Sequence, residues 1–404
     1  MKRMLPLLTL LTAFPALSTD MYLPALPMLS EFWHQPASVV NLTLVLFFVV
    51  FCFFLLVYGP VSDRFGRRRP LLVGIAVYVI ASLACACANG VWMLLIARIF
   101  QAAGAASAAA LSMAMCKDLF EGRMREQMLA HIAVSMALAP MLAPIIGSWI
   151  LALFNWRCIF LVLMAMGVVA FWGVLRMPET LREANHCGAV QVAMGYVRLL
   201  GNRRYTSLTV MMALTALPFF AFIAGSSEIY ITHFSLSEKQ FGCFFAFNAV
   251  AMMAGAFTFS RLSHFMPSTR LLSIGLGGIC IGGLGMALIS HNSPWSLALP
   301  MWVVSFCCGI CRPPSNHLIL EQVTRDAGAA SSLIAFCFMM FASAGMWLIS
   351  LNWADRINVI AFLAVISGGI TFFAWQVVLK KWRLHEPKGG LQPENVAVAV
   401  SENI

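Results

Sequence analysis

The sequence predicts an all-α membrane protein: twelve transmembrane helices in two six-helix halves related by a pseudo-twofold axis. Three observations carry this. Of 404 residues 61% are hydrophobic and only 10% charged, with a mean hydropathy of +0.86, which leaves too little polar surface for a solvated domain. Apolar runs long enough to cross a bilayer, about 20 residues at roughly 1.5 Å each, recur along the whole chain. A polar stretch in the first run returns in the seventh.

The runs cover 5–29, 38–60, 70–89, 91–115, 127–152, 157–176, 207–230, 240–260, 271–290, 295–317, 328–350 and 356–380. Lys2 and Arg3 ahead of the first run resemble the start of a signal peptide. No small-x-small cleavage site follows before Asp20, so the run is expected to stay as the first span. Positive residues fall in alternate loops, from Lys2 and Arg3 through Arg64, Arg67, Arg68 and Arg69 to Lys380 and Lys381. The intervening loops hold only Arg157, Lys239 and Arg356, which places both chain ends in the cytoplasm.

Between the sixth and seventh runs lies a long polar, basic loop. The expected division is therefore 1–176 for the first half, 177–206 for a cytoplasmic linker, 207–383 for the second half and 384–404 for a disordered cytoplasmic tail. The net charge of +10 is spread singly between apolar runs, so it marks cytoplasmic loops and not a nucleic-acid partner. Nearly all of the 12 cysteines sit inside apolar runs and read as packing residues. Cys308 and Cys311 have CxxC spacing without a second ligand pair, so neither metal nor cofactor is expected.

Asp20 lies within the first run, in the order Ser18, Thr19, Asp20, Met21, Tyr22, Leu23, Pro24. Placing an acid there costs on the order of 3 kcal/mol, so such a residue is usually retained for proton, ion or substrate handling. In the seventh run Ser226, Ser227, Glu228, Ile229 and Tyr230 repeat the pattern. An even number of spans separates the copies, so both helices run the same way and the substrate site is expected where the halves meet. Counting from the inner ends, Glu228 lies roughly 31 Å up its span and Asp20 roughly 22 Å, so Asp20 is the expected proton site and Glu228 a secondary one.

The fourth run carries Arg98 and Gln101, and Arg98 sits at a depth comparable to Asp20. A contact between them, direct or through Gln101 or water, is expected because a charge in a span needs a partner. Asn41, Asn248 and Asn316 are candidate polar residues of the pocket, since an uncharged amide in a span also needs a partner. Each serves equally as a helix-to-helix hydrogen bond. Arg312, followed by Pro313 and Pro314, either meets an anionic group of a substrate, or reaches Glu321, or snorkels to the inner surface. The glycines between Gly275 and Gly285 lie within a span with no preceding strand, so they read as helix packing and not as a nucleotide loop.

The loop after the second run reads Gly59, Pro60, Val61, Ser62, Asp63, Arg64, Phe65, Gly66, Arg67, Arg68, Arg69. It resembles the GxLaDRxGRR loop of the major facilitator superfamily, and Arg98 to Gly104 is similar to that family's RxxQGxG segment. Gly66 permits a tight reversal, and the arginines suit an anionic membrane surface. Asp63 is expected to latch the halves at the positive N-terminus of the eleventh span, near Gly328. Pro140, Pro144 and Gly147 in the fifth run resemble the proline and glycine motif of drug:proton antiporters. With Trp156, Arg157 and the Pro178, Glu179, Thr180, Leu181 stretch, they make the chain resemble the bicyclomycin and chloramphenicol efflux branch. Departures are Glu228, where relatives commonly carry proline, and the loss of the acid in the second-half loop at Ser263 and His264.

What the resemblance implies is a monomeric transporter, not an enzyme, in the bacterial inner membrane. It would export small amphiphilic compounds in exchange for protons, the two halves rocking around a central site. Burial disfavours the charged carboxylate, so Asp20 can load a proton outside and release it inside. Exporters of a metabolite or siderophore, uptake symporters and a non-transporting sensor are the alternatives. The partners are then a small molecule, protons and membrane lipid.

Overall fold

The computed structural model describes residues 5–181, 189–289, 292–323 and 327–382. Lys2, Arg3 and the expected tail at 384–404 lie outside the described residues. Among the described residues the chain is helical, with no strand.

Eleven helical stretches are individually long and apolar enough to span a membrane. The first expected span is different. Helix α1 (Leu5–Asp20) stops at the acid, a 3-10 turn follows at Leu23–Ala25, and α2 (Leu26–Phe32) completes the crossing. The continuous helix expected over 5–29 does not form, because Pro24 has no N–H for the Asp20 carbonyl and its ring crowds that same carbonyl. Pro27 repeats the interruption one residue into α2.

The first half continues with α3 (Ala37–Phe65), α4 (Arg68–Ala86), α5 (Val91–Leu119), α6 (Gly122–Leu153) and α7 (Trp156–Leu175). The expected linker contains a helix of its own, α8 (Ala189–Gly201), which packs on the second half. The seventh span is built in pieces: α9 (Arg203–Ala213), α10 (Ala216–Ser227) and a π-helical segment, Glu228–His233. Then come α11 (Glu238–Leu262), α12 (Ser268–Leu288), α13 (Pro294–Leu320), α14 (Ala327–Ser350) and α15 (Arg356–Trp382). Helix starts carry the residues that satisfy free N–H groups. Asn202 caps α9, and Ser237 with Gln240 forms a capping box at α11.

Within the first half α5 packs against α3, α4 and α1, while in the second α13 and α15 flank α12. The α12 glycines lie against Cys307, Cys311, Val304 and Ala364 of those neighbours, as helix packing requires. The halves meet along two seams, α3 on α14 and α6 on α11. At one end a third contact joins them, where the 3-10 turn touches α10 and α11 and α2 touches the π segment. Large apolar residues such as Val73, Ile80, Trp92, Phe100, Phe362 and Phe373 remain exposed on the outside of the bundle, the face that hydrocarbon would cover.

Candidate functional site

The break after Asp20 leaves the last carbonyls of α1 short of donors. The Met21 N–H donates to Leu17 O at 3.3 Å and the Tyr22 N–H to Thr19 O at 3.3 Å, which skips Ser18. Arg98 fills that place: its Nη1 donates to Ser18 O at 2.8 Å and to Gln101 Oε1 at 2.6 Å. A cation is favoured there, at the negative end of the helix. Gln101 Nε2 passes its own hydrogen bond to Ser82 Oγ at 2.9 Å. The Ser18 hydroxyl donates to Phe14 O at 2.6 Å, so the Tyr78 hydroxyl donates to Ser18 Oγ, 2.7 Å away.

Arg98 is completely buried. Its guanidinium carbon lies 4.3 Å from the ring centroid of Phe47, 5.1 Å from Tyr22 and 5.9 Å from Phe160. Nε and Nη2 have no hydrogen-bond partner among the described residues, where aromatic faces supply the stabilisation those atoms receive. The expected contact with Asp20 takes an indirect form. No ion pair joins the two among the described residues; Arg98 instead holds the backbone turn that ends in Asp20. Asp20 is buried too, and its Oδ1 accepts from Thr19 Oγ1 at 2.9 Å. That one hydroxyl proton also has Pro15 O at 3.0 Å and Ala16 O at 3.2 Å within reach.

Helix α6 braces the break from outside. A Cβ at Gly147 would collide with the Met21 carbonyl, so only glycine allows this approach. Pro144 is buried one turn earlier and Pro140 half-buried, and α6 runs through both as a single helix. The same stretch touches the second half, since Gly242 of α11 faces Ile145 and Ser148.

The loop between α3 and α4 is clamped by an acid whose part the sequence pattern did not disclose. Gly66 has φ of +86°, and the Glu179 carboxylate occupies the space a Cβ would need. Glu179 accepts from the backbone N–H groups of Arg67 (2.8 Å), Arg68 (3.2 Å), Thr180 (2.9 Å) and Leu181 (3.2 Å). Partial burial raises its pKa, but the four N–H donors outweigh this and hold it below the ordinary 4.5. Arg67 bonds Asp118 at 2.9 Å and Asp63 at 2.5 Å. Arg68 reaches the last carbonyls of α7, at Val174 and Leu175, while Arg64 lies over Phe65. Among the described residues the ion-pair partner of Asp63 is thus Arg67, in its own half. Gly59 lies within α3 with open space around it.

Glu228 begins the π segment and pairs with Arg356, the first residue of α15, at 2.5 Å. Both side chains are largely buried at the end of the bundle remote from the α3–α4 loop. Asn41 is buried on α3. Asn248 is buried on α11, where its Nδ2 donates to Phe244 O at 3.3 Å and its Oδ1 has no partner among the described residues.

Arg312 and Asn316, by contrast, face a cavity of about 150 Å³ between α9, α10, α11, α13 and α14. Glu321 is engaged by His317 at 3.2 Å and not by Arg312. Edge-to-face aromatic contacts run from the cavity wall to the first half: Phe338 meets Phe220 at 5.9 Å, and Phe220 meets Phe48 at 5.5 Å. The six sequence candidates for substrate contact therefore fall in separate places. Asp20 and Gln101 belong to the first-half cluster, Arg312 and Asn316 to the second-half cavity, and Asn41 and Asn248 to helix interiors. Ser18, Thr19, Tyr78, Ser82, Phe47, Phe160 and Glu179 were not singled out as site residues. The signal for Tyr78 and Ser82 was polar spacing of four within an apolar run.

The Major Facilitator Superfamily family model matches residues 8–346. The chain is 30% identical over 379 residues, 91% of its length and 94% of the other's, to the uncharacterized MFS-type transporter YdgK of Bacillus subtilis (strain 168). It is 28% identical, over 81% of its length and 83% of the other's, to a bicyclomycin resistance protein homolog of Haemophilus influenzae. It is 26% identical, over 76% of its length and 79% of the other's, to the multidrug transporter MdfA of Edwardsiella piscicida. The crystal structure of a D-xylose-proton symporter has a TM-score of 0.71 at 14% identity, over 91% of this chain and 96% of that one, which speaks to the fold alone.

Proposed function

We propose, for a chain that belongs to the Major Facilitator Superfamily and is a multi-pass membrane transporter rather than an enzyme, that it exports small amphiphilic compounds in exchange for protons. The observation that carries the reading is Asp20: a buried carboxylate with no cation paired to it among the described residues, set at a break in the first span. Protonation removes the charge that burial penalises, and it does so where the helix is already interrupted. Arg98 acts with Asp20 by holding the same turn. Pro144 and Gly147 carry any shift of that turn into α11 of the other half, so a proton at Asp20 and the angle between the halves are linked. Glu228, paired with Arg356, is assigned as a tie at the remote end. The likeness to a bicyclomycin resistance homolog and to MdfA supports efflux of drug-like molecules.

The clamped α3–α4 loop, with its arginines, is assigned to the cytoplasmic face of a bacterial inner membrane, and both chain ends with it. The working unit is taken as a monomer of two halves, 1–176 and 207–383, joined through 177–206.

The test is a pair of transport measurements in inverted vesicles, with ethidium and chloramphenicol as probe compounds. The wild type should accumulate at least one of them when a proton gradient is imposed, and Asp20→Asn should lose the gradient dependence. Full gradient-driven transport by Asp20→Asn would sink the assignment.

A further inference from the structure

Arg312 is an intramembrane cation that the fold does not neutralise. It sits about eight residues, roughly 12 Å, from the end of α13, yet it is exposed, because the surface it exposes is the cavity. Its guanidinium carbon lies against an apolar group, 4.4 Å from the centroid of the Phe338 ring. Among the described residues no carboxylate pairs with it and no hydrogen bond ends on it. A fully charged side chain is costly in such a place unless something else completes it.

Asn316 lies one turn further along the same face of α13, is exposed to the same cavity, and likewise has no side-chain partner among the described residues. The other polar groups of the wall are already committed. Thr209 donates to Tyr205 O at 2.8 Å, Thr215 to Met212 O at 2.7 Å and Ser315 to Cys311 O at 2.6 Å. The unspent donors of the cavity are therefore a guanidinium and an amide, four residues apart on one helix. That is a fork for a planar anion, since guanidinium N–H groups match carboxylate oxygens in pairs. The rest of the wall is apolar and aromatic, and a cavity of about this size holds a single aromatic ring.

We propose that this cavity is an anion-binding subsite, in which Arg312 and Asn316 hold the carboxylate of an aromatic organic acid or zwitterion while Phe338 packs against its ring. The proposal rests on the transporter reading and narrows its substrate class to compounds that carry a carboxylate. Proton and substrate are then handled apart, the proton in the first half and the anion in the second. Asp20 lies roughly 22 Å along α1 from the end where Arg312 lies at about 12 Å, so the two groups are also at different depths.

The test is equilibrium binding by calorimetry, using the full chain in detergent, with benzoate and its uncharged isostere benzamide as probes. The wild type should bind the acid at least tenfold more tightly than the amide. Arg312→Gln should bring the two within about threefold, Arg312→Lys should keep part of the preference, and Asn316→Ala should weaken the acid several-fold. Elution profile and melting temperature establish that each variant is folded, and Asn316→Ala carries the test if Arg312→Gln is not. Equal binding of acid and amide by the wild type, no binding of the acid, or a preference that survives Arg312→Gln overturns the proposal. Because no gradient is involved, an intact preference without proton-driven transport would count against the exporter reading alone. Proton-driven transport without the preference would count against the anion site alone.

Discussion

The backbone of Met21 lies against Gly147, so that a single added methyl group at 147 would strike the Met21 carbonyl. One residue before Met21 is the buried Asp20, and Ile145 and Ser148, on either side of Gly147, face Gly242 of α11 in the other half. The position thus joins a titratable group to the seam between halves.

Gly147→Ala tests that joint. Alanine is the better helix former by about 1 kcal/mol, but forcing a methyl into packed backbone costs about 1–3 kcal/mol. The expected net result is a lower melting temperature and at least a tenfold loss of transport. A variant that is more stable and fully active would show the approach to be looser than the structure has it.

Arg98→Met separates a coupling role from a structural one. The substitution removes two hydrogen bonds, worth about 1–3 kcal/mol each because the donor is charged, and leaves Ser18 O unpaired. It also removes a buried charge with two unsatisfied nitrogens, a change that is often neutral or favourable. The melting temperature should therefore move by only a few degrees while gradient-driven transport falls at least tenfold. Equal loss of folding and transport would mark Arg98 as structural.

Pro24→Ala should let α1 run on past Asp20. Alanine restores the N–H that the Asp20 carbonyl lacks, and one such hydrogen bond is worth about 0.5–1.5 kcal/mol, so the variant should be slightly more stable. It should also turn over more slowly, because a more continuous helix would hold the Asp20 turn more tightly. Thermal unfolding and initial transport rates, measured side by side, decide the matter.

Glu179 gives a pH dependence. Its folded pKa lies below 4.5, so the stability it lends the α3–α4 loop is present above the unfolded value and is lost as pH falls through the folded one. Hydrogen exchange at Arg67 and Arg68, corrected for intrinsic rates, should stay protected at pH 5 and lose protection only below the ordinary glutamate value of 4.5. Glu179→Gln should lose that protection already at neutral pH.

Glu228→Gln breaks a pair that is still partly open to solvent, and such pairs contribute about 0–1 kcal/mol. Transport should keep its gradient dependence, with at most a small drop in melting temperature. Loss of gradient dependence would move the proton site to the second half.

Composition and apolar run length were enough for the all-helical membrane fold, because a bilayer accepts few backbone solutions and each needs its own stretch of apolar residues. They also marked Asp20, Arg98 and Arg312, since a charge in an apolar run stands out without any knowledge of packing. The break in α1 was written in Pro24 and Pro27 but hidden by the hydropathy around them, which has the same value in a helix and in a turn. What Arg98 touches, what clamps Gly66 and which donors of α13 remain unspent depend on side chains from helices far apart in sequence. Only the packed bundle decides those, because partners of a buried polar group are chosen by distance and direction, and one-dimensional spacing fixes neither between separate helices. Asp20 was thus visible from the sequence as an exception; that its turn is held by Arg98 and braced by Gly147 is a property of the tertiary structure.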